Sequence, residues 1–220
     1  LKIGDLSVEY LQHDCFRLEA GGTVLYTDPF HIKEQERKAD YITISHDHFD
    51  HLSPQDLEKV LKPSTVIIAS LCCRGKLEGL GREVHFLAPG ETYRGGPVSV
   101  TAVAAYNTNK FRSPGHVFHE KSYNGAGFII DLGGARIYHA GDTDFIEEMG
   151  SLGKVDVALL PVSGTYVMTA DEAIGAARKI SPAFAVPMHW GDIVGGRSEA
   201  EKFVRGVSTF GHAQLLEKER

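Results

Sequence analysis

The chain is poor in the residues that staple small secreted proteins together. Its 220 residues hold three cysteines, Cys15, Cys72 and Cys73. The number is odd and two are adjacent, which argues against a disulfide framework and for reduced, mostly buried thiols. Positive charge is also scarce. Lys and Arg number 23 against 29 Asp and Glu, a net charge of −6, so no global basic field exists to attract nucleic acid, which is not an expected partner. No apolar run approaches the roughly 18 to 20 residues that a membrane-spanning helix needs, and the opening LKIGDLSVEYLQHD is too polar for a signal-peptide core. A cytoplasmic protein with no membrane partner is the expectation. What is present is ordinary for a globular chain: 42% hydrophobic and 24% charged residues, enough for one large core and a single domain over 1–220.

Strands open the chain and then alternate with helices. LSVEYL, CFRLEA and TVLYTD carry period-two or β-branched patterns broken by Gly21-Gly22, which predicts a meander. Ser53, Pro54 and Asp56 supply a cap, a first-turn proline and a first-turn acid, predicting a helix over 54–61. STVIIAS, EVHFLA and VSVTAVAA read as further strands, with a helix at CCRGKLEGLG. Later, VDVALLPV and PAFAVPMHW read as buried strands, Thr169 with Glu172 forms a capping box before ADEAIGAARKI, and Ser198 with Glu201 caps a last helix. A weak repeat lies at an offset of 112 residues, where FRLEAGGTVLYTDPF matches FIIDLGGARIYHAGDTDF at Phe16/Phe128, Gly21/Gly133, Gly22/Gly134 and Tyr26/Tyr138. If it is more than chance, two similar halves pack face to face.

SHDHFDHLSP, residues 45–54, sets three histidines and two aspartates within six positions, after the apolar run Tyr41-Ile42-Thr43-Ile44. Side chains alternate along a strand, so His46 and His48 point the same way, and Asp50 and His51 can curl back over the same spot. Polar groups this dense at the end of a buried strand need partners. Two adjacent divalent metals suit them: imidazole favours zinc or iron, and carboxylate can bridge.

The spacing of His46, His48, Asp50 and His51 resembles the first metal motif of the metallo-β-lactamase superfamily. YHAGDTDF resembles its aspartate motif, which makes Asp142 the bridging carboxylate, and VPMHWGD its last histidine motif, which makes His189 a ligand. The resemblance implies an α/β (α+β) fold, a four-layer αββα sandwich of two similar halves. QHDCFRLEAGGTVLYTDPF, AAYN and LLPVSGTYVMTADEA are similar to the small branch that contains the ascorbate-6-phosphate lactonase. It implies a hydrolase with two divalent ions, zinc or else manganese or iron, acting on a small ester, lactone or phosphoester through a metal-bound hydroxide that Asp50 orients. A metal-binding protein of this fold without turnover, or a nuclease, is the alternative.

The family's further histidine, between these motifs, is replaced by Asn107. Either the site of His46, His48 and Asp142 is one imidazole short and holds its metal weakly, or His116 or His119 enters from the following loop; each alone reads as a solvated loop histidine. His13 resembles a histidine near the mouth of the site in this branch. Asp28 could support a ligand histidine or serve as a turn aspartate before Pro29. Tyr166 is a candidate to steady developing charge on the substrate. His139 reads as a packed core histidine, Trp190 as core or pocket wall, and His31, His85 and His212 show no ligand spacing. Lys110, Arg112 and Lys121 read as a solvated loop; as an anion clamp they would imply an anionic small-molecule substrate.

Overall fold

A computed structural model of the chain describes residues 1–218. Seven strands form the first sheet and lie side by side in chain order: β1 (Lys2–Ile3), β2 (Leu6–Gln12), β3 (Cys15–Ala20), β4 (Thr23–Thr27), β5 (Tyr41–Ile44), β6 (Val66–Ser70) and β7 (Glu83–Leu87). The first four pair antiparallel as a meander, and β4 to β7 are parallel. In β5 and β6 Ile42, Ile44, Ile67 and Ile68 are all fully buried, as in parallel strands covered on both faces.

The second sheet contains β8 (Thr92–Gly95), β9 (Val98–Ala104), β12 (Ala126–Leu132), β13 (Ala135–His139), β14 (Val157–Pro161) and β15 (Phe184–Met188), in the order β15-β14-β13-β12-β9-β8. A short ribbon, β10 (Phe111–Ser113) and β11 (His116–Val117), lies outside both sheets.

The repeat holds at the level of register. Phe16 faces Thr27 and Ala20 faces Thr23 in the β3–β4 hairpin; Phe128 faces His139 and Leu132 faces Ala135 in β12–β13, every position shifted by the same offset. Both hairpins turn on a Gly-Gly pair with positive φ, +55° and +82° for Gly21-Gly22 and +61° and +76° for Gly133-Gly134. A two-residue turn of this hand matches strand twist and is open to glycine without steric cost. In each half the second hairpin strand then pairs in parallel with the next strand, β4 with β5 and β13 with β14.

Leu6, Val8, Phe16 and Leu18 of the first sheet share one core with Val100, Phe128 and Ile130 of the second. On the outer face of the first sheet, Leu57 and Val60 of α1 (Pro54–Val60) and Leu77 of α2 (Arg74–Leu77) pack on Ile42, Ile44 and Ile67. The helices α3 (Ala170–Ile180) and α4 (Arg197–Val207) cover β14 and β15. The result is the four-layer αββα sandwich. No described helix is long and apolar enough to cross a membrane.

Capping chemistry sets the helix limits. Ser53 Oγ accepts from the Asp56 N–H, and Thr169 with Glu172 forms the full capping box. Two expectations need correction. The CCRGKLEGLG segment is only a 3₁₀ turn at Leu71–Cys73 followed by the single turn of α2, because Gly75, Gly79 and Gly81 weaken its helical propensity. The last helix starts from Gly196 rather than Ser198, since the Glu199 carboxylate reaches back to the Gly196 N–H at 2.8 Å.

Candidate metal centre

The carboxyl ends of β2, β4 and β5 in one sheet and of β9, β13 and β15 in the other meet at one edge of the sandwich. Hydrogen bonds across the sheets join them: the Ala126 N–H donates to the Ser45 carbonyl at 2.9 Å and the His189 N–H to the His13 carbonyl at 3.0 Å. Three residues at this edge, His13, Asp28 and His189, hold φ of +54°, +36° and +58°. Such strain in non-glycine residues persists only where surrounding contacts enforce it. Gly141 (φ +62°) is needed on a second count, since a Cβ there would lie 2.9 Å from the Ala126 carbonyl oxygen.

His46, His48 and His119 form one group of converging donors. Nδ1 of His48 lies 3.0 Å from Nε2 of His46 and 3.3 Å from Nε2 of His119. Oδ2 of Asp142 lies 3.8 Å from the former nitrogen and 3.4 Å from the latter. A tetrahedral ion at ordinary zinc–nitrogen distance has donor separations of about 3.3 Å. His119, which the sequence leaves open between a solvated loop residue and a ligand entering from the loop, is 4% exposed. Three imidazoles therefore converge here. Asn107 does not point at the donors at all: its Oδ1 accepts from the backbone N–H of His119 at 2.8 Å and lies 2.9 Å from His119 Nδ1, while its Nδ2 donates to Asp144 and to the Tyr166 carbonyl. The carboxamide thus bridges the strand end and the loop. His116 is the solvated one, against Glu120.

The second group contains His13, Asp50, His51 and His189. Oδ1 of Asp142 lies 3.4 Å from Nε2 of His51 and 3.3 Å from Nε2 of His189, and Oδ2 of Asp50 lies 3.3 Å from Nε2 of His13 and 3.7 Å from Nε2 of His51. Asp142 thus faces one group with each oxygen. Nε2 of His13, His51 and His189 and Oδ1 of Asp142 are buried with no hydrogen-bond partner. Buried donors and acceptors left unpaired are costly, and a divalent cation between them removes the cost. On this ground the residues fit the metal that the motif implies.

The surrounding shell fixes ring orientation. Asp28 Oδ2 lies 2.8 Å from Nδ1 of His51 and accepts from Ser45 Oγ at 2.5 Å; Ser45 Oγ in turn lies 3.0 Å from Nδ1 of His46. With the serine proton committed to Asp28, its oxygen accepts from His46, so one Asp–Ser pair leaves Nε2 of both histidines as a lone pair facing inward. Asn107 Oδ1 does the same for His119, and Ser163 Oγ, 2.9 Å from Nδ1 of His189, can do so for that ring. Burial holds His46, His51, His13 and His119 below the usual histidine pKa. Burial acts the same way on His189, but Asp142 and Asp14 outweigh it and hold the ring up to about 9. Burial also opposes ionisation of Asp142, whose neighbours His189 and His51 nevertheless keep it well below the usual carboxylate range.

Asp14 was missed in the sequence. It is fully buried, neither carboxylate oxygen has a hydrogen-bond partner, and Oδ2 lies 3.7 Å from Nδ1 of His51. Burial pushes its carboxyl well above the usual range. Only its adjacency to His13 could have drawn notice. His139 is packed as expected, Nε2 lying 2.9 Å from the Asp14 carbonyl oxygen. Trp190 belongs to the core, stacked on Tyr10.

A cavity of about 260 Å³ opens over Asp50 and Asp142 and is walled by Phe49, Phe118, Tyr166 and Ile193. The anion clamp does not form. Lys110 is bound by Asp144 at 3.3 Å and Glu172 at 2.8 Å, Lys121 by Glu148 at 2.8 Å, and Arg112 lies 4.0 Å from Glu120. None of the three lines the cavity.

Comparison with known proteins agrees with this geometry. Residues 7–189 match the family model described as "Beta-lactamase superfamily domain". A UPF0173 metal-dependent hydrolase of Thermoplasma acidophilum is 33% identical over 94% of this chain and 93% of its own length. A crystal structure described as a metal-dependent hydrolase of Parabacteroides distasonis superposes with a TM-score of 0.83 at 31% identity, covering 97% of this chain and 94% of that one. A metallo hydrolase from Ignicoccus hospitalis shares the fold, with a TM-score of 0.77 at 21% identity over 98% of this chain and 96% of that one. With the family model spanning both sheets and whole-length relatives above 30% identity, the chain belongs to the metallo-β-lactamase superfamily, among the UPF0173 metal-dependent hydrolases.

Proposed function

We propose that the chain is a dinuclear metal-dependent hydrolase of small molecules. One ion would be held by His46, His48, His119 and Asp142, the other by Asp50, His51, His189 and Asp142 with His13 as an additional donor. The observation that carries this reading is the convergence of donor atoms on both oxygens of one carboxylate, those on the Oδ1 side buried and without a hydrogen-bond partner. Two divalent ions bound there would lower the pKa of a water toward ~7 and polarise the substrate's reacting oxygen. The imidazole-rich set suits zinc, and its carboxylates also suit manganese or iron.

The chain's own groups do the rest. Asp50 lines the cavity beside both donor groups, so its carboxylate can accept a hydrogen bond from the attacking water and turn a lone pair toward the substrate. The Tyr166 hydroxyl, on the same cavity, can donate to charge that develops on the substrate. Asp28 and Ser45 hold two of the rings and prevent the loss of lone pairs to the wrong tautomer. The carboxylates of Asp50 and Asp142 in an open cavity favour turnover over a purely structural site, which is more often closed by cysteine and histidine. Cys15, Cys72 and Cys73 are free, which supports a reducing, cytoplasmic setting.

Metal analysis of the purified protein, combined with hydrolysis assays on esters, lactones, thioesters and phosphodiesters with and without chelator, tests the proposal. Two metal equivalents and chelator-sensitive turnover are expected. Turnover that persists after complete metal removal would falsify it.

A further inference from the structure

Which substrates reach the metals depends on the cavity over Asp50 and Asp142. Its walls are apolar: Phe49, Phe118, Tyr166 and Ile193. Phe49 and Ile193 are 67% and 38% exposed, large apolar surfaces left open to water at the mouth of a polar site. Phe118 and Tyr166 pack edge to face at 4.8 Å in that wall. The Tyr166 carbonyl is held by Asn107 Nδ2 at 2.9 Å, so the same asparagine that positions His119 also fixes this wall. Among the described residues no lysine or arginine lines the cavity, and the cations of the adjoining loop are committed to carboxylates. A phosphate or carboxylate remote from the reacting atoms would find no cationic partner there.

We infer that the site takes neutral carbonyl substrates, esters or lactones that carry an apolar acyl group lodged against Phe49, Phe118, Tyr166 and Ile193, and not phosphorylated ones. The inference rests on the hydrolase reading and narrows its substrate class. In the reaction the oxygen of water bonds to the acyl carbon, and the carbon–oxygen bond to the leaving alcohol breaks with its electron pair. The released proton goes to that alkoxide, which gives a carboxylic acid and an alcohol from an ester and a single hydroxy acid from a lactone.

The test uses the zinc-reconstituted protein and two readouts. Calorimetric titration with straight-chain carboxylates from acetate to octanoate, the acid products of such a reaction, measures the apolar wall without turnover. Affinity should rise about fourfold per added methylene until the cavity is filled. In Ile193→Ser and Phe49→Ser, with metal content unchanged, that chain-length dependence should flatten. The second readout is hydrolysis of nitrophenyl acyl esters of the same lengths beside nitrophenyl phosphate and its diester. Affinity independent of chain length, chain-length dependence unchanged in both variants, or a preference for the phosphoesters overturns the substrate assignment. Chain-length-dependent binding without hydrolysis of any ester or phosphoester upholds the apolar subsite and instead overturns the hydrolase reading on which it rests.

Discussion

Asp142 divides the centre into two donor groups assembled in different ways. The first takes His46 and His48 from the end of one strand and completes itself with His119, a residue from beyond the β10–β11 ribbon that Asn107 holds in place. The second takes its donors from three separate chain segments, at His13, at Asp50-His51 and at His189, and two of those are locked in left-handed backbone conformations. One group thus depends on a loop tethered by side chains. The other is built into backbone geometry at the sheet edge. One ring also stands apart electrostatically: burial holds His46 and His119 of the first group and His13 and His51 of the second below the usual histidine pKa, whereas Asp142 and Asp14 outweigh burial at His189 and favour its proton. Shared chemistry does not require shared construction, and the two halves should fail differently.

The residue common to both groups tests this most severely. Asp142→Ala should remove both metals together and lower turnover by about 10⁴-fold or more, since every donor set loses its bridge. Metal content by mass spectrometry would show it; a variant that keeps one tightly bound equivalent would mean that the groups are independent and the carboxylate is not shared. Asp50→Ala comes next. It touches only the second group, so the first should keep its metal and the fold should survive, while turnover falls by about 10³-fold through loss of the group that orients water. Near wild-type rates in this variant would remove Asp50 from the mechanism.

The same contrast explains what the sequence could reveal. His46, His48, Asp50 and His51 sit within one turn, so strand alternation alone brings them together, and the hairpin repeat was visible because a Gly-Gly turn and its flanking register are local features. His119 was not legible in this way. Its place depends on Asn107, twelve positions earlier, whose carboxamide accepts from one segment and donates to Asp144 and Tyr166 in others. A resemblance that aligns Asn107 with a ligand histidine points at the right strand end, where the asparagine contacts His119 instead of facing the other donors. Asp14 was illegible for a further reason. Nothing local marks a turn aspartate as fully buried; that follows only from the closure of the second sheet over the first, where the His139 ring meets the Asp14 carbonyl.

Asn107 therefore offers the sharpest way to separate the groups. Asn107→Ala removes the acceptor for His119 and both donations from its amide, so the first group should bind metal about 10- to 100-fold more weakly, the usual effect of losing a supporting partner. The second group should be unchanged. Asn107→Asp keeps an acceptor for His119 but sets a carboxylate against Asp144, and it should not rescue. Stepwise chelation followed by competition with a metal-sensitive dye reads both affinities. Equal weakening at the two sites would show that the loop supports the whole centre and that the contrast drawn above is false.

A smaller effect is expected at the far end of the tether. Glu172 accepts from the Thr169 N–H at 2.7 Å, from Asn109 Nδ2 at 2.7 Å and from Lys110 Nζ at 2.8 Å, so it joins the cap of α3 to the loop that carries His119. Partial burial disfavours its charge, yet Lys110 and these N–H donors prevail and lower its pKa from 4.5 to about 2. A carboxyl depressed in the folded state stabilises the fold above its unfolded pKa, and that contribution disappears as pH falls from about 4.5 through about 2. Glu172→Gln should flatten this part of the acid stability profile, measured by urea unfolding with chelator present so that metal release does not contribute. Because the cluster is partly exposed, at Asn109 and Thr169 above all, salt should reduce the difference, and the loss at neutral pH should be modest. Metal affinity at the first group should fall by less than about threefold, since Asp144 still gathers the loop through Thr108, Asn109 and Asn107. Parallel acid profiles for wild type and variant would show that the Glu172 charge does not hold this loop, and would leave Asp144 as the anchor on which His119 depends.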